Sequence, residues 1–188
     1  QDVCENSIIS YNNIYVSSKI RYAYGITAPA LNPTTRQMNK RFSTGFRVLE
    51  NNIIMVSDGV AEAIYTDSLS ESEFLSNKVN IICDGYGYGI AFANLIGKLS
   101  GLNVTGNEII IHSKEMAYLI EFHMVDNSTV SSNKLYSESN GIYGISIYMS
   151  NNISIEDNEI TILAGNLSDI KGVSDVLGIG TSAIAVIK

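Results

Sequence analysis

The chain is poor in residues that often carry enzyme chemistry. Its 188 residues include two cysteines, two histidines, two prolines and no tryptophan. The histidines, His112 and His123, have no second metal ligand at a close and regular spacing, which argues against a zinc or copper centre. Proline interrupts strands, so its scarcity leaves long stretches free to form them. We therefore expect a strand-rich protein without a bound transition metal.

Charged residues are also scarce, at 16% of the chain, and the acidic ones prevail to give a net charge of −7. This balance argues against DNA or an anionic membrane surface as the main partner. No apolar run reaches the roughly 18 residues that a membrane-spanning helix needs, and no basic and apolar leader begins at Gln1. The hydrophobic share of 45% is sufficient for a continuous core.

A short motif recurs six times: an apolar residue, two spacers, an asparagine, one spacer and a second apolar residue. Its asparagines are separated by 39, 26, 30, 26 and 25 residues, the period range of solenoids, in which each repeat buries its apolar face by stacking on its neighbours. A small residue followed by isoleucine comes about 11 to 13 residues after most of them. The motif asparagines are Asn12, Asn51, Asn77, Asn107, Asn133 and Asn158.

Each repeat contains three short apolar segments: one before the asparagine, one after it and one around the small-isoleucine pair. Alternation with period two is clear after the asparagine, as in Ile53 and Met55 or Ile109 and Ile111. Three strands per repeat, with equivalent strands paired in parallel, predict an all-β fold, a right-handed parallel β-helix of about six coils. At about 4.8 Å per coil the six would form a rod about 29 Å long.

The repeated asparagine has a structural explanation. An asparagine at a corner tolerates the left-handed backbone conformation, and its amide can bond the equivalent amide one coil away, at about 1 kcal/mol net per bond. We therefore interpret the column as a structural ladder. The residues directly after the last four asparagines alternate in charge, which supports the alignment because neighbouring parallel strands favour opposite charges: Lys78, Glu108, Lys134 and Glu159.

These coils resemble the parallel β-helix repeats of the pectate-lyase-like superfamily, and their style, rich in asparagine and isoleucine, is similar to the adhesin-like surface proteins of methanogenic archaea. The resemblance covers residues 7 to 188. The resemblance implies a β-helix. Members of the family include polysaccharide lyases and hydrolases, phage tailspikes and surface proteins without known chemistry. Because fold alone does not choose among these activities, the function must be argued from particular residues.

Asp58 and Asp84 are the candidate catalytic pair. Both stand seven residues after their ladder asparagines, so the alignment places them about one coil apart, a distance that suits an acid pair or a shared calcium ion. Lys19 and Lys114 flank them in the same column, which is equally expected of a surface charge ladder. The Asp-Asp, Gly-His-Gly and Arg-x-Lys motifs that sugar-cleaving relatives would carry are missing.

Two further columns and one loop are candidates for ligand binding. The residues three after each asparagine point outward, and an apolar patch there predicts either a partner surface or cover by the chain's own insertions. Four tyrosines stand two residues before the inward isoleucine; facing outward they would form a platform for sugar rings, but their parity favours an internal stack: Tyr24, Tyr88, Tyr118 and Tyr143. The large members of the outward column are Tyr15, Ile54, Ile110 and Tyr136.

Insertions interrupt the repeats at residues 27–45 and 164–181. The first holds both prolines and three basic side chains, Arg36, Lys40 and Arg41, which either contact an acidic polysaccharide or remain solvated. The two cysteines, Cys4 and Cys83, lie about three repeats apart, so we expect free thiols, because a disulfide bridges no more than about 7 Å between Cα atoms.

Three functions remain open. The first is a non-catalytic module of an extracellular or cell-surface protein, a single β-helical segment of a longer chain that binds a glycan or another surface protein. The second is a polysaccharide lyase or glycoside hydrolase acting on an acidic polysaccharide. The third is a phage-type tailspike, which would require a trimer. Four glycosylation sequons, at Asn103, Asn127, Asn152 and Asn166, fit a secreted protein.

Overall fold

The structure, a computed structural model, describes residues 5–28, 43–93, 97–164, 170–174 and 184–187, with side chains up to residue 163. Throughout these ranges every regular element is a β-strand, and all the strand pairs are parallel. The strands wind into a β-solenoid of about 5 turns, and each turn runs from one of the six ladder asparagines to the next. The predicted parallel β-helix is confirmed.

Three faces run along the solenoid. The first consists of strands that precede the ladder asparagines: β1 (Ile8–Ser10), β5 (Arg47–Leu49), β9 (Glu73–Leu75), β13 (Asn103–Thr105), β15 (Val125–Ser131) and β17 (Asn151–Glu156). The second face follows the asparagines and consists of β2 (Asn13–Ser18), β6 (Asn52–Ser57), β10 (Lys78–Cys83), the first half of β14 (Glu108–His123), the first half of β16 (Lys134–Tyr148), β18 (Glu159–Ala164) and β20 (Ile184–Ile187).

The third face surrounds the small-isoleucine pairs. It consists of β3 (Tyr22–Ala28), β7 (Val60–Thr66), β11 (Gly87–Ala93), the second halves of β14 and β16, and β19 (Ile170–Ser174). Three coils also contain a two-residue strand between the third and first faces, a fourth segment per coil that the sequence did not predict. These strands are β4 (Ser43–Thr44), β8 (Leu69–Ser70) and β12 (Leu99–Ser100).

The core lies between the three faces and is built from stacked side chains. Ile53, Met55, Ile109 and Ile111 have no exposed surface, so the alternation after the asparagines points inward as predicted. Three phenylalanines pack edge to face along the axis, with centroids 4.8 Å apart for Phe74 and Phe92 and 5.1 Å apart for Phe92 and Phe122. Such pairs contribute about 0.5–1.5 kcal/mol beyond their buried area.

Hydrogen bonds join the ladder asparagines from coil to coil. The Nδ2 of Asn77 donates to the Oδ1 of Asn107 at 3.0 Å, and the Asn107 Nδ2 donates to the Oδ1 of Asn133 at 2.9 Å. From Asn51 onward each Oδ1 also accepts from the backbone N–H of the preceding ladder asparagine, as Asn107 does from Asn77 at 2.9 Å. The second Nδ2 proton binds a carbonyl of the preceding coil, such as that of Phe74, whose side chain opens the motif.

The left-handed backbone conformation belongs to the residue before each ladder asparagine, so the prediction that the asparagine itself adopts it is wrong. These preceding residues have φ between 52° and 67° and only one is glycine: Tyr11, Glu50, Ser76, Gly106, Ser132 and Asp157. A second left-handed column lies five residues earlier in every coil, at Asn6, Gly45, Glu71, Gly101, Asn127 and Asn152. Left-handed residues thus mark two corners of each coil, while the asparagine side chains provide the bonds between coils.

Candidate functional site

A stack of tyrosines runs along the outer side of the third face. The rings of Tyr88 and Tyr118 have centroids 4.9 Å apart at an angle of 5°, and those of Tyr118 and Tyr143 are 4.9 Å apart at 6°. The three residues pair directly in the strand register. All are half-buried, whereas Tyr24, at the same register position near the first coil, is 50% exposed.

The prediction that these tyrosines form an internal stack is wrong, because the chain bends at the small-isoleucine pair. Leu119 and Ile120 are both fully buried, so two consecutive side chains point inward and the parity reverses. Gly89 occupies the same place in the preceding coil, where a Cβ would lie 2.5 Å from the Leu119 carbonyl oxygen. The residues on either side of the bend, Tyr118 and Glu121, therefore both face outward.

Glu62 replaces tyrosine in one rung of this column. It pairs in register with Tyr24 on one side and with Tyr88 on the other. The carboxyl is half-buried, and burial, followed by the charge of Glu121, raises the pKa of Glu62 to about 7. An open cavity of about 360 Å³ lies at this rung, lined by Tyr24, Thr27, Glu62 and Tyr65.

A second outward column runs beside the tyrosines and contains Tyr65, Ala91 and Glu121 in register. Ala91 is only 1% exposed, which indicates that its larger neighbours close over it. Burial raises the pKa of Glu121, and it raises the pKa of Tyr65 to about 12. We call the outer surface formed by both columns the tyrosine face: Tyr24, Glu62, Tyr65, Tyr88, Tyr118, Glu121 and Tyr143.

The chemistry of the tyrosine face suits a ligand with both hydroxyl groups and apolar C–H surface. Stacked rings cover one another, so solvent reaches mainly their edges and phenol oxygens, which form a repeating row of donors and acceptors. A phenol is already protonated at neutral pH, and burial raises the pKa of the Tyr88 hydroxyl further, so it is available as a hydrogen-bond donor there. Glu62, with a pKa of about 7, supplies a carboxyl that donates when protonated and accepts when ionised.

The structure places Asp58 and Asp84 at the corner that precedes the third face, on neighbouring coils. The backbone N–H of Asp58 donates to the carbonyl oxygen of Ser18, and that of Asp84 donates to the carbonyl oxygen of Ser57, both at 3.1 Å and both in the preceding coil. The Asp84 Oδ2 accepts a 2.7 Å ion-pair hydrogen bond from the Nζ of Lys114, and both side chains are more than half exposed. Asp84 and Lys114 thus form the neighbouring-coil pair that a surface charge ladder predicts.

The outward column of the second face has the predicted register, in which Tyr15, Ile54, Asn80, Ile110, Tyr136 and Thr161 pair in succession. Tyr15 is 68% exposed and Ile54 is 38% exposed, while Ile110 and Tyr136 are half-buried. A shallow cavity of about 280 Å³ lies beside Ile110 and Tyr136. Arg36, Lys40, Arg41 and most of the 164–181 insertion lie outside the described residues.

Cys83 is free and buried in a corner position that Ser57 and Ser113 occupy in the adjacent coils. Burial raises the pKa of the Cys83 thiol to about 11, so the thiolate is scarce at neutral pH. In the described part of the chain, no group of three or more histidine, cysteine, aspartate or glutamate side chains is arranged to hold a metal ion. Cys4 lies outside that part.

Sequence reasoning missed Glu62, Tyr65 and Glu121. A signal for Glu62 was present, because it stands two residues before Ile64 just as Tyr88 stands two residues before Ile90. Comparison of the chain with protein-family models, with curated proteins and with solved structures gives no significant match. Within the described ranges, no helix has the length and hydropathy that a membrane crossing requires.

Proposed function

We propose that the chain is a non-catalytic, carbohydrate-binding β-helical module of an extracellular or cell-surface protein, and that a glycan lies along the tyrosine face. The observation that carries this proposal is the half-buried stack of Tyr88, Tyr118 and Tyr143, with its regular spacing of 4.9 Å. A row of equivalent phenols suits a polymer of equivalent sugar units, since each unit can repeat the contacts of the one before.

Charge favours a neutral glycan on this face. Glu62 and Glu121 lie among the tyrosines, and the whole chain has a net charge of −7, so a polyuronate would be repelled at neutral pH. The resemblance of the repeats to the pectate-lyase-like superfamily and to adhesin-like surface proteins of methanogenic archaea concerns the fold, so the choice of a neutral glycan rests on the tyrosine face.

Glycan binding is tested on an array of neutral and uronic-acid-containing oligosaccharides, followed by titration of the best ligand. We expect Tyr118→Ala to weaken binding about tenfold or more, because it removes the middle ring and its hydroxyl, a loss of about 1.4 kcal/mol or more. Tyr15→Ala is the matched control, an exposed tyrosine on the second face whose loss leaves affinity unchanged. A blank array, or equal losses in the two variants, contradicts the proposal.

A second candidate function, glycoside hydrolysis, is favoured by two carboxyls on the tyrosine face, Glu62 on β7 and Glu121 two strands away on β14, both with raised pKa. A protonated acid and a second carboxyl on one sugar-binding face are the groups such cleavage requires. The array ligands are therefore also assayed for new reducing ends. Products that disappear in Glu62→Gln would establish hydrolysis, whereas binding without products supports the non-catalytic module.

A further inference from the structure

The outer side of the second face carries a patch of twelve residues arranged in three columns across four coils. We call it the four-coil patch. Its first column alternates in charge, its middle column is apolar at the centre, and its third is apolar at both ends. The columns are Lys78, Glu108, Lys134 and Glu159; Asn80, Ile110, Tyr136 and Thr161; and Ile82, His112, Glu138 and Leu163.

The side chains of this patch reach solvent. Lys78 and Glu108 are 71% and 49% exposed, although their charged groups are 3.7 Å apart. Ile82 is 53% exposed, a large value for an isoleucine on a sheet. His112 and Glu138 are also accessible and lie 3.7 Å apart. The patch therefore offers both charge and apolar surface to another molecule.

The pattern of the patch is complementary to itself when its order along the solenoid is reversed. A two-fold axis between the coils of β14 and β16 brings the first coil of one copy opposite the fourth coil of the other. Lys78 then faces Glu159 and Glu108 faces Lys134, so every charge in the first column meets its opposite. In the third column His112 faces Glu138 and Ile82 faces Leu163. In the middle column Asn80 faces Thr161 and Ile110 faces Tyr136.

We propose that two copies of the chain pair through the four-coil patch, with their solenoid axes antiparallel and Ile110 packed against Tyr136 of the second copy at the centre. A self-complementary surface of this kind is what a two-fold interface requires. The shallow cavity beside Ile110 and Tyr136 gives the two central side chains a place to enter.

A parallel arrangement of the same faces is less favourable. It reverses the order of the columns, so that Lys78 faces Ile82 and Glu159 faces Leu163 of the other copy. Two charged groups per copy would then lose water against aliphatic side chains without gaining an opposite charge. The charge pattern thus selects the antiparallel dimer.

The predicted dimer is weak. Strand spacing and rise make the patch roughly 19 Å by 16 Å, which is smaller than the standard interface of about 800 Å² per partner. We expect a dissociation constant on the order of 10 to 100 μM near physiological salt, where screening limits repulsion between the acidic chains. Sedimentation equilibrium from about 1 μM to 1 mM covers this range.

Two charge variants test the pairing. Lys78→Glu with Lys134→Glu makes the first column wholly acidic, and Glu108→Lys with Glu159→Lys makes it wholly basic. We expect each variant alone to dimerise at least tenfold more weakly than the natural chain, and an equimolar mixture to form a heterodimer. Rescue in the mixture also shows that both variants are folded. A natural chain that stays monomeric at 1 mM, a trimer, or dimers that ignore these changes would overturn the proposal.

Cysteine crosslinking tests the orientation separately, in a Cys4→Ser background. An equimolar mixture of the single variants Ile110→Cys and Tyr136→Cys should form disulfide-linked heterodimers on mild oxidation, because the two positions face each other in the antiparallel dimer. The cysteines are placed on separate chains because residues 110 and 136 are also register partners within one chain, where a double variant would form an internal disulfide. Ile110→Cys alone should crosslink at least tenfold less. Efficient crosslinking of that single variant indicates the parallel arrangement and contradicts the proposal.

Discussion

At the scale of the residue, each interior ladder asparagine uses its whole side-chain amide. Asn107 is 1% exposed, and its Nδ2 donates to Phe74 O at 2.8 Å and to Asn133 Oδ1 at 2.9 Å. Its Oδ1 accepts from the backbone and side-chain nitrogens of Asn77. No other residue offers two donors and an acceptor with this shape, which explains why the position is asparagine in all six coils.

The isosteric change Asn107→Asp therefore tests the ladder directly. The ionised carboxylate keeps the acceptor but has no donor, so the buried Phe74 carbonyl and Asn133 Oδ1 each lose a partner. At about 1–3 kcal/mol for each bond lost, we expect the free energy of unfolding to fall by about 2–5 kcal/mol in urea titrations. Asn12→Asp is the matched control at the exposed end of the column and should cost less than about 1 kcal/mol. Equal losses of unfolding free energy in the two variants would contradict the conclusion that burial makes the interior asparagine bonds more stabilising.

At the scale of the structural element, the corners decide where each strand ends. The residue before each ladder asparagine is left-handed in all six coils, yet only Gly106 adopts this conformation without a steric penalty. A Cβ at Gly106 would meet only Ser76 Oγ, at an ordinary distance of 3.5 Å. The cost of a side chain at this corner therefore comes from the backbone rather than from packing.

Reciprocal substitutions at two equivalent corners isolate that cost. We expect Gly106→Ala to lower the free energy of unfolding by about 1 kcal/mol, and Ser132→Gly, in the same column, to raise it by up to about 1 kcal/mol. The second value is reduced because glycine also gains entropy in the unfolded chain. Urea unfolding of both variants measures the difference. Changes of the same sign in the two variants would show that packing dominates the corner.

The sequence predicted the second face well and the third face poorly, for a physical reason. After each asparagine, strict alternation leaves a single register, so Ile109 and Ile111 point inward and Ile110 outward. Around Leu119 and Ile120 the chain bends and buries both residues, which reversed the parity assumed for Tyr118. Alignment could have placed Glu62 among the tyrosines. Its raised pKa could not have been predicted, because burial depends on side chains from neighbouring coils.

At the scale of the whole molecule, carboxyl groups link stability to pH. The chain has a net charge of −7, and two of its carboxyls, Glu62 and Glu121, are half-buried on the tyrosine face. Both bind protons more tightly in the folded state than in the unfolded state. Asp126 acts in the opposite sense. Burial opposes its ionisation, but hydrogen bonds from Lys98 and Asn151 outweigh that effect and lower the pKa of Asp126 below its usual range. The contribution of Asp126 to the free energy of unfolding is therefore lost only when the pH falls through its lowered pKa.

We therefore expect the folded chain to be more stable at pH 5 than at pH 7.5. The pKa of Glu62 rises from 4.5 to about 7 on folding, so the native state holds a proton that the unfolded state has released. Stability from this group is complete below about pH 4.5 and is lost as the pH rises through 7. Thermal unfolding between pH 5 and 7.5, where Asp126 remains ionised in both states, should show the melting temperature falling with pH.

Glu62→Gln should flatten this dependence, because glutamine carries the neutral form at every pH. Glu121→Gln should flatten it as well, since it removes a second raised carboxyl and the negative charge that helps to raise the pKa of Glu62. Glu115→Gln, an exposed carboxyl at the corner before the third face, is the control and should leave the slope unchanged apart from the loss of one surface charge. A slope that persists in Glu62→Gln but disappears in Glu115→Gln would place the linkage outside the tyrosine face.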